Sequence, residues 1–72
     1  MRDYHINIFY SEDDHGYIAD IPDLTYCSAF GTTPEEALAE ALKAKSAWLA
    51  SAHENGISVP PPMYRPAIYQ VS

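Results

Sequence analysis

The residues best suited to chemistry in this 72-residue chain are its carboxylates. Several carboxylates converging on Mg²⁺ would make a metal-dependent nuclease. The candidates are Asp3, Asp20, Asp23, Glu35 and Glu36, and all of them fall near the ends of predicted elements. A helix start accounts for Glu35 and Glu36, and a turn accounts for Asp23. We therefore expect no catalytic residue, no metal and no cofactor, and a metal-dependent nuclease is only a remote alternative.

Cys27 is the second candidate for chemistry, because a thiolate beside a histidine can act as a nucleophile. A lone cysteine in a strand is more often a small core residue. The three histidines (His5, His15 and His53) do not fall at zinc-ligand spacings with Cys27. A single cysteine cannot form an intramolecular disulfide, and the N-terminus lacks a signal-peptide core. We expect a cytoplasmic protein with an inert thiol.

The charge of the chain bears on its partners. Ten acidic residues against four basic ones give a formal net charge of −6. Binding to a phosphate backbone requires clustered Lys and Arg, so direct binding to nucleic acid is not expected. The balance favours a basic protein partner, or simply solubility. The chain also lacks the run of about 18 apolar residues that a membrane span needs.

The hydrophobic pattern predicts a single α+β domain that covers the whole chain. Strands are predicted at about 4–10, 17–21, 26–30 and 66–71, and one helix at about 34–54. Short connections make the first three strands an antiparallel meander. A right-handed crossover would then set the last strand parallel to the first. The order is β-β-β-α-β, with the long helix on one face of the sheet.

The start and end of the helix carry strong local signals. Thr33 is a natural N-cap, Pro34 suits the first helical position, and Glu36 completes a capping box. Asn55-Gly56 predicts the stop. Lys45 interrupts the apolar stripe, and it either extends its ammonium to solvent or meets a carboxylate or carbonyl partner. The residues predicted for the core stripe are Ala37, Leu38, Ala41, Leu42, Trp48, Leu49 and Ala52.

A single helix covers one sheet face, so the other face is available to a partner. A mixed apolar and polar surface is expected there, formed by His5, Asn7, Phe9, Ile18, Asp20, Ile68 and Gln70. We predict that a partner is bound by Phe9, Ile18, Asp20 and the acidic loop Glu12, Asp13 and Asp14. The last strand is an exposed edge that invites pairing into a dimer or tetramer through Ile68, Tyr69 and Gln70.

Much of the chain, from Tyr4 to about Pro60, resembles the HicB-like antitoxin domain. One departure is Thr25-Tyr26, where that family tends to have Pro-Gly before the cysteine. The departure changes the turn chemistry but is not expected to change the fold. The segments that carry the resemblance are Gly16-Tyr17-Ile18-Ala19, Pro22-Asp23-Leu24, Cys27 and Gly31-Thr32-Thr33-Pro34-Glu35-Glu36-Ala37-Leu38.

The resemblance implies a partial ribonuclease H-like fold. It further implies that the protein binds a small, basic, RNA-cleaving toxin of the HicA type and neutralises it by occluding its active site. Full-length HicB proteins usually carry a C-terminal DNA-binding domain, and from the 72 residues of this sequence we expect none. DNA binding is therefore not carried over. The alternative is a solitary homo-oligomeric module, regulatory or structural, with no toxin partner.

Overall fold

The fold is α+β, as the sequence predicts. The structure is a computed structural model that describes residues 3–64. Its elements are β1 (Asn7–Ser11), β2 (Gly16–Asp20), β3 (Ser28–Gly31) and α1 (Pro34–Glu54). The strands form one antiparallel sheet in the order β1-β2-β3. The strand predicted at 66–71 lies outside the described residues.

β1 and β3 are shorter than the sequence predicts, while β2 keeps its predicted length and begins one residue earlier. Backbone hydrogen bonding explains the differences. β1 does not begin at residue 4, because its pairing with β2 stops at Asn7 opposite Asp20. Beyond that pair the N–H of Ile21 donates to the Cys27 carbonyl at 3.0 Å, so it is not free for the ladder. Pro22 has no N–H to donate. β3 begins at Ser28 instead of residue 26, because Tyr26 has a φ of +58°.

The helix has the bounds that its capping signals predict. The Thr33 hydroxyl accepts the Glu36 N–H at 3.1 Å. The Glu36 carboxylate reaches back to the N–H of Thr32, also at 3.1 Å, one residue earlier than in a standard capping box. At the other end Gly56 has a φ of +65°, and the Ile57 N–H bonds to the Ala52 carbonyl at 2.8 Å. Both ends therefore have partners for some of the backbone groups that a helix terminus leaves free.

The helix packs on the sheet through alanines, which confirms Ala37, Ala41 and Ala52 of the predicted core stripe and corrects Leu42. Ala37 and Ala41 are fully buried against Ala19 of β2. The small side chains let the two backbones approach closely, and a Cβ on Gly31 would lie only 2.7 Å from the Glu36 carbonyl carbon. Leu42, predicted in the core, is 41% exposed. The reason is that α1 lies over β3 and β2 and barely reaches β1, so the leucine row beside the alanines is only partly covered.

A second cluster anchors the loop between β2 and β3. Ile21, Leu24 and Cys27 are buried there, and Trp48 of α1 packs against them. The indole Nε1–H of Trp48 also donates to the Thr25 carbonyl at 3.0 Å. The cluster fixes this loop both by burial and by hydrogen bonding.

Lys45 combines features of the two interpretations left open by the sequence. Its side chain is only 18% exposed, and its ammonium lies 3.2 Å from an Asp3 carboxylate oxygen. The Asp3 side chain is itself 69% exposed. The apolar stem is therefore covered while the charge meets a carboxylate partner at the surface.

The chain after α1 returns to the start of the sheet. The Tyr4 hydroxyl donates to the Pro60 carbonyl, and the Asp23 carboxylate accepts the N–H groups of Met63 and Tyr64. The Tyr64 ring lies 4.7 Å from the ring of His5, between centroids. Through these contacts, the segment that follows α1 lies next to the residues that precede β1. Within residues 3–64, no helix is long and apolar enough to cross a membrane.

Candidate protein-binding face

The sheet has one face that no described element covers, and we call it the open face. Ala19, directly opposite Ile8 in β1 and Ala29 in β3, packs against the helix. Because side chains alternate along a strand, the neighbours of these residues point the other way. Phe9, Ile18 and Phe30 therefore lie on the open face, directly opposite one another across the three strands.

These three side chains form an apolar row. Phe9 is 50% exposed and Phe30 is 43% exposed, while Ile18 between them is partly covered. The Phe30 ring lies over Gly16, where an added Cβ would come within 2.5 Å of its Cζ atom. Gly16 thus provides the space in which the ring rests on the sheet. The predicted partner-binding residues Phe9 and Ile18 are brought together, and the structure adds Phe30.

Phe30 was missed at the level of sequence, although the signal was present. Its neighbour Ala29 suits a core position, so alternation would have put Phe30 on the opposite face. The residues predicted for the open face include none from the third strand, to which Phe30 belongs.

A polar row lies beside the apolar one. Asn7 of β1 and Ser28 of β3 both pair with Asp20 of β2. His5 extends the row, because its Nε2 lies 2.6 Å from the Asn7 amide oxygen. Asp20, predicted to bind the partner, therefore lies on the open face, two residues after Ile18 in β2.

The acidic loop between β1 and β2 is at the opposite end of the sheet from Asp20. Glu12, Asp13 and Asp14 are all exposed there. The loop is ordered by local hydrogen bonds, including the Ser11 hydroxyl to the Asp14 carboxylate at 2.8 Å. The acidic loop therefore borders the open face at one end, and Asp20 lies on that face near the other.

The described residues, 3–64, carry far more negative than positive charge. Their two lysines, Lys43 and Lys45, are both paired, with Glu40 at 3.1 Å and Asp3 at 3.2 Å respectively. Within residues 3–64, the remaining carboxylates have no lysine or arginine partner. The field around the open face is therefore negative, which attracts a cationic partner over a Debye length of about 8 Å.

Tyr26 is the second residue that sequence reasoning missed. Its side chain is fully exposed, and it follows the buried Leu24 by two positions. Its loop joins the end of β2 to the start of β3, beside the polar row of the open face. The residues of the loop themselves give no signal for it, because tyrosine is not a residue that usually takes the positive φ found here.

Three of the carboxylates considered for metal chemistry have other partners, and one of these, Asp3, pairs with Lys45. Asp23 accepts two backbone N–H groups, and Glu36 caps the helix. Across residues 3–64, no group of three or more His, Cys, Asp or Glu side chains could hold a metal ion.

The Cys27 thiol is buried and unsuited to nucleophilic attack. Burial, followed by the negative charge of Asp20, raises its pKa above the ordinary value, while Lys45 acts in the opposite direction. A raised pKa keeps the sulfur protonated at neutral pH, and the thiolate is the reactive form.

The residues predicted for an oligomer edge (Ile68, Tyr69 and Gln70) lie outside the part of the chain that the structure describes. Comparisons with known proteins add no further assignment. No family model, no curated protein and no solved structure matches this chain.

Proposed function

We propose that this chain is an antitoxin-like binding module that captures a small basic ribonuclease of the HicA type on its open face and covers the active site of that enzyme. The observation that carries the proposal is the apolar row Phe9, Ile18 and Phe30 on a sheet face that no described element covers. Exposed apolar patches with a polar border are typical of protein interaction sites. The family resemblance supplies the class of partner, and the proposed location is the cytoplasm.

The charges around the row favour a basic partner. Asp20 on the open face and the loop of Glu12, Asp13 and Asp14 present carboxylates to an approaching protein. Such charges act mainly by raising the rate of association, while the apolar contacts hold the complex together. The carboxylates therefore act on the association rate, and the apolar row acts on the dissociation rate.

The central experiment is an inhibition assay in which a purified HicA-type ribonuclease cleaves RNA in the presence of increasing amounts of this protein. We expect inhibition by the wild type. Phe9→Ala and Phe30→Ala should each weaken it at least tenfold, since a truncated interface anchor typically costs about 2 kcal/mol or more.

Tyr10→Ala is the matched control for that assay. Tyr10 adjoins Phe9 in β1 and is 55% exposed, but it lies on the helix side of the sheet. Its replacement should leave inhibition unchanged, once circular dichroism confirms folding. Equal losses at Phe9 and Tyr10 would reject the open face as the site. Wild-type protein that does not inhibit would reject the antitoxin function.

The acidic loop has a separate kinetic test. Replacing Glu12, Asp13 and Asp14 by lysine should slow association with the ribonuclease and weaken its dependence on salt. The dissociation rate should change little, because the apolar row is intact. An unchanged association rate would remove the loop from the mechanism.

We further propose that residues 66–71 form a fourth strand parallel to β1. Two observations support this arrangement. β1 has only one strand neighbour among the described residues, and the described chain ends with Tyr64 against His5, just before β1 begins. Ile68 and Gln70 would then continue the open face, and Tyr69 would lie on the helix side near Ile8.

Amide hydrogen exchange tests the fourth strand. The N–H groups of β1 that point away from β2 should exchange slowly in the full chain and rapidly in a chain that ends at Tyr64. The N–H groups that point toward β2 serve as the internal control, because they should be protected in both. Equal exchange of the outward groups in the two chains would reject the strand.

The second candidate is a homo-oligomeric module without a toxin partner. It is favoured by the outer edge of β1, which pairs with no strand among residues 3–64, because such an edge offers its backbone to another copy. Under this alternative Ile68, Tyr69 and Gln70 pair between protomers. Sedimentation would give a dimer or tetramer, and inhibition of the ribonuclease would be absent.

A further inference from the structure

The loop that carries Tyr26 is held in one conformation. The Leu24 N–H bonds to the Ile21 carbonyl, and the Cys27 N–H bonds to the Leu24 carbonyl, both at 3.1 Å. Leu24 to Cys27 is therefore a β-turn with Tyr26 at its third position. Trp48 fixes the turn from the helix by its bond to the Thr25 carbonyl.

Tyr26 is an unfavourable residue for that position. Its φ is +58°, while Thr25 before it has no positive φ. That combination is the pattern of a type II turn, in which glycine or asparagine is strongly preferred at the third position. A residue with a side chain is strained there, and strain of this kind is often found at binding sites.

Among residues 3–64, the Tyr26 side chain makes no contact that would offset the strain. Tyr26 is 100% exposed, and the buried members of its loop are its neighbours Leu24 and Cys27. As far as the described residues go, the turn thus holds a rigid aromatic ring in water, with neither face covered.

Two carboxylates, one within this loop and one at its base, favour a cationic partner. Asp20 ends β2 and pairs with Ser28, the first residue of β3, so it lies at the base of the loop that carries Tyr26. Asp23 belongs to the same loop and keeps its carboxylate close to the protein surface, where Met63 and Tyr64 donate to it. A guanidinium is attracted both to these carboxylates and to the face of an aromatic ring.

We infer that Tyr26 is an anchor that receives an arginine side chain of the basic protein partner, with the guanidinium against its ring. The inference rests on the proposed function for the existence of that partner. It adds a contact at the edge of the open face, because β2 ends at Asp20 and β3 begins at Ser28 on either side of this loop. Tyrosine and arginine, together with tryptophan, are enriched among interface anchors.

A hexa-arginine peptide is the probe for the test. Binding is followed by the NMR shifts of the Tyr26 ring protons, and affinity is measured by calorimetry. Tyr26→Phe keeps the ring and should bind like the wild type. Tyr26→Leu keeps an apolar side chain without the ring, and its affinity for hexa-arginine should fall about two- to fivefold. Equal affinity of wild type and Tyr26→Leu, or ring protons that do not shift, would overturn the inference.

Thermal unfolding provides a second measurement that needs no partner. Tyr26→Gly should raise the midpoint by a few degrees, because glycine accepts positive φ, and it should lose affinity for hexa-arginine as Tyr26→Leu does. His15→Gly is the matched control for relief of strain, since His15 has a φ of +55° in another loop. It should raise the midpoint without the loss of affinity. A lower midpoint for Tyr26→Gly would mean that the ring serves the fold, which contradicts the inference.

The inference and the proposed function can fail separately. Tyr26→Leu tests the anchor by its affinity for hexa-arginine, whereas the function is tested by inhibition of the ribonuclease with Phe9→Ala and Phe30→Ala. If they abolish inhibition of the ribonuclease while Tyr26→Leu binds hexa-arginine normally, the anchor is rejected and the function stands. If Tyr26 binds the peptide but the ribonuclease is not inhibited, the anchor stands and the toxin class is rejected.

Discussion

The carboxylate of Asp23 accepts the backbone N–H of Tyr64, a residue 41 positions further along the chain, at 3.1 Å. The same carboxylate accepts the N–H of Met63, also at 3.1 Å. One side chain in the loop between β2 and β3 therefore holds the segment that follows the helix. Because that segment contains three prolines and forms no regular element, its backbone depends on such side-chain acceptors.

Replacement of Asp23 by alanine should release this segment. The N–H groups of Met63 and Tyr64 would lose their acceptor, and hydrogen bonds to a charged group at an exposed site are worth about 1 kcal/mol. We expect fast amide exchange at both positions and a comparable loss in the free energy of unfolding. Asp23→Asn is the control, because its amide oxygen keeps one acceptor and should preserve part of the protection. Slow exchange in Asp23→Ala would mean that other contacts hold the segment.

Two leucines give a matched test of where the core is. Leu24 is 1% exposed and Leu42 is 41% exposed. Leu24→Ala should cost about 2–5 kcal/mol, the usual range for a buried leucine. Leu42→Ala should cost roughly 1 kcal/mol or less, because much of its surface is already in water. Urea unfolding of both variants gives the comparison, and equal costs would contradict the packing described for α1.

The helix could be predicted from the sequence because its signals are local. Thr33, Pro34 and Glu36 determine the start, and Gly56 determines the end, without reference to any other element. The three-strand meander follows from alternation and short loops, which are local as well. The fold class was predicted correctly for this reason.

The packing of the helix could not be predicted in the same way. A helical wheel groups Leu42 with Ala37 and Ala41, but it does not say which row touches the sheet. Close approach of α1 to Gly31 makes the alanine row the contact, a tertiary effect that overrides hydrophobicity. The same limit applies to Tyr26, because a turn that demands positive φ is recognised only once its hydrogen bonds are known.

The Thr33 cap has a defined energetic role. Its hydroxyl accepts the Glu36 N–H at 3.1 Å, and the N-cap position has extended backbone angles. Thr33→Ala should destabilise the protein by about 1 kcal/mol. Thr33→Ser keeps the hydroxyl and should be close to neutral, as measured by thermal unfolding. If both variants lose the same stability, the methyl group of Thr33 and not its hydroxyl is what matters.

The Asp3–Lys45 pair makes stability depend on pH in the acid range. The N–H of Tyr4 lowers the pKa of the Asp3 carboxyl first, and the hydrogen bond and charge of Lys45 lower it further. A folded-state pKa below the unfolded value means that the ionised form is favoured by folding. The contribution is therefore present above the unfolded pKa and is lost as the pH falls through the folded pKa.

Asp3→Asn isolates this effect, because the amide oxygen can still accept the Tyr4 N–H while the charge is gone. Urea unfolding from about pH 6 to about pH 2.5 spans the titration of an aspartate. The wild type should be the more stable at the upper end, and the difference in unfolding free energy should shrink toward the lower end. The other carboxylates titrate in both proteins and cancel in that difference. A difference that stays constant across the range, or grows as the pH falls, would mean that the Asp3 charge does not contribute through its ionisation.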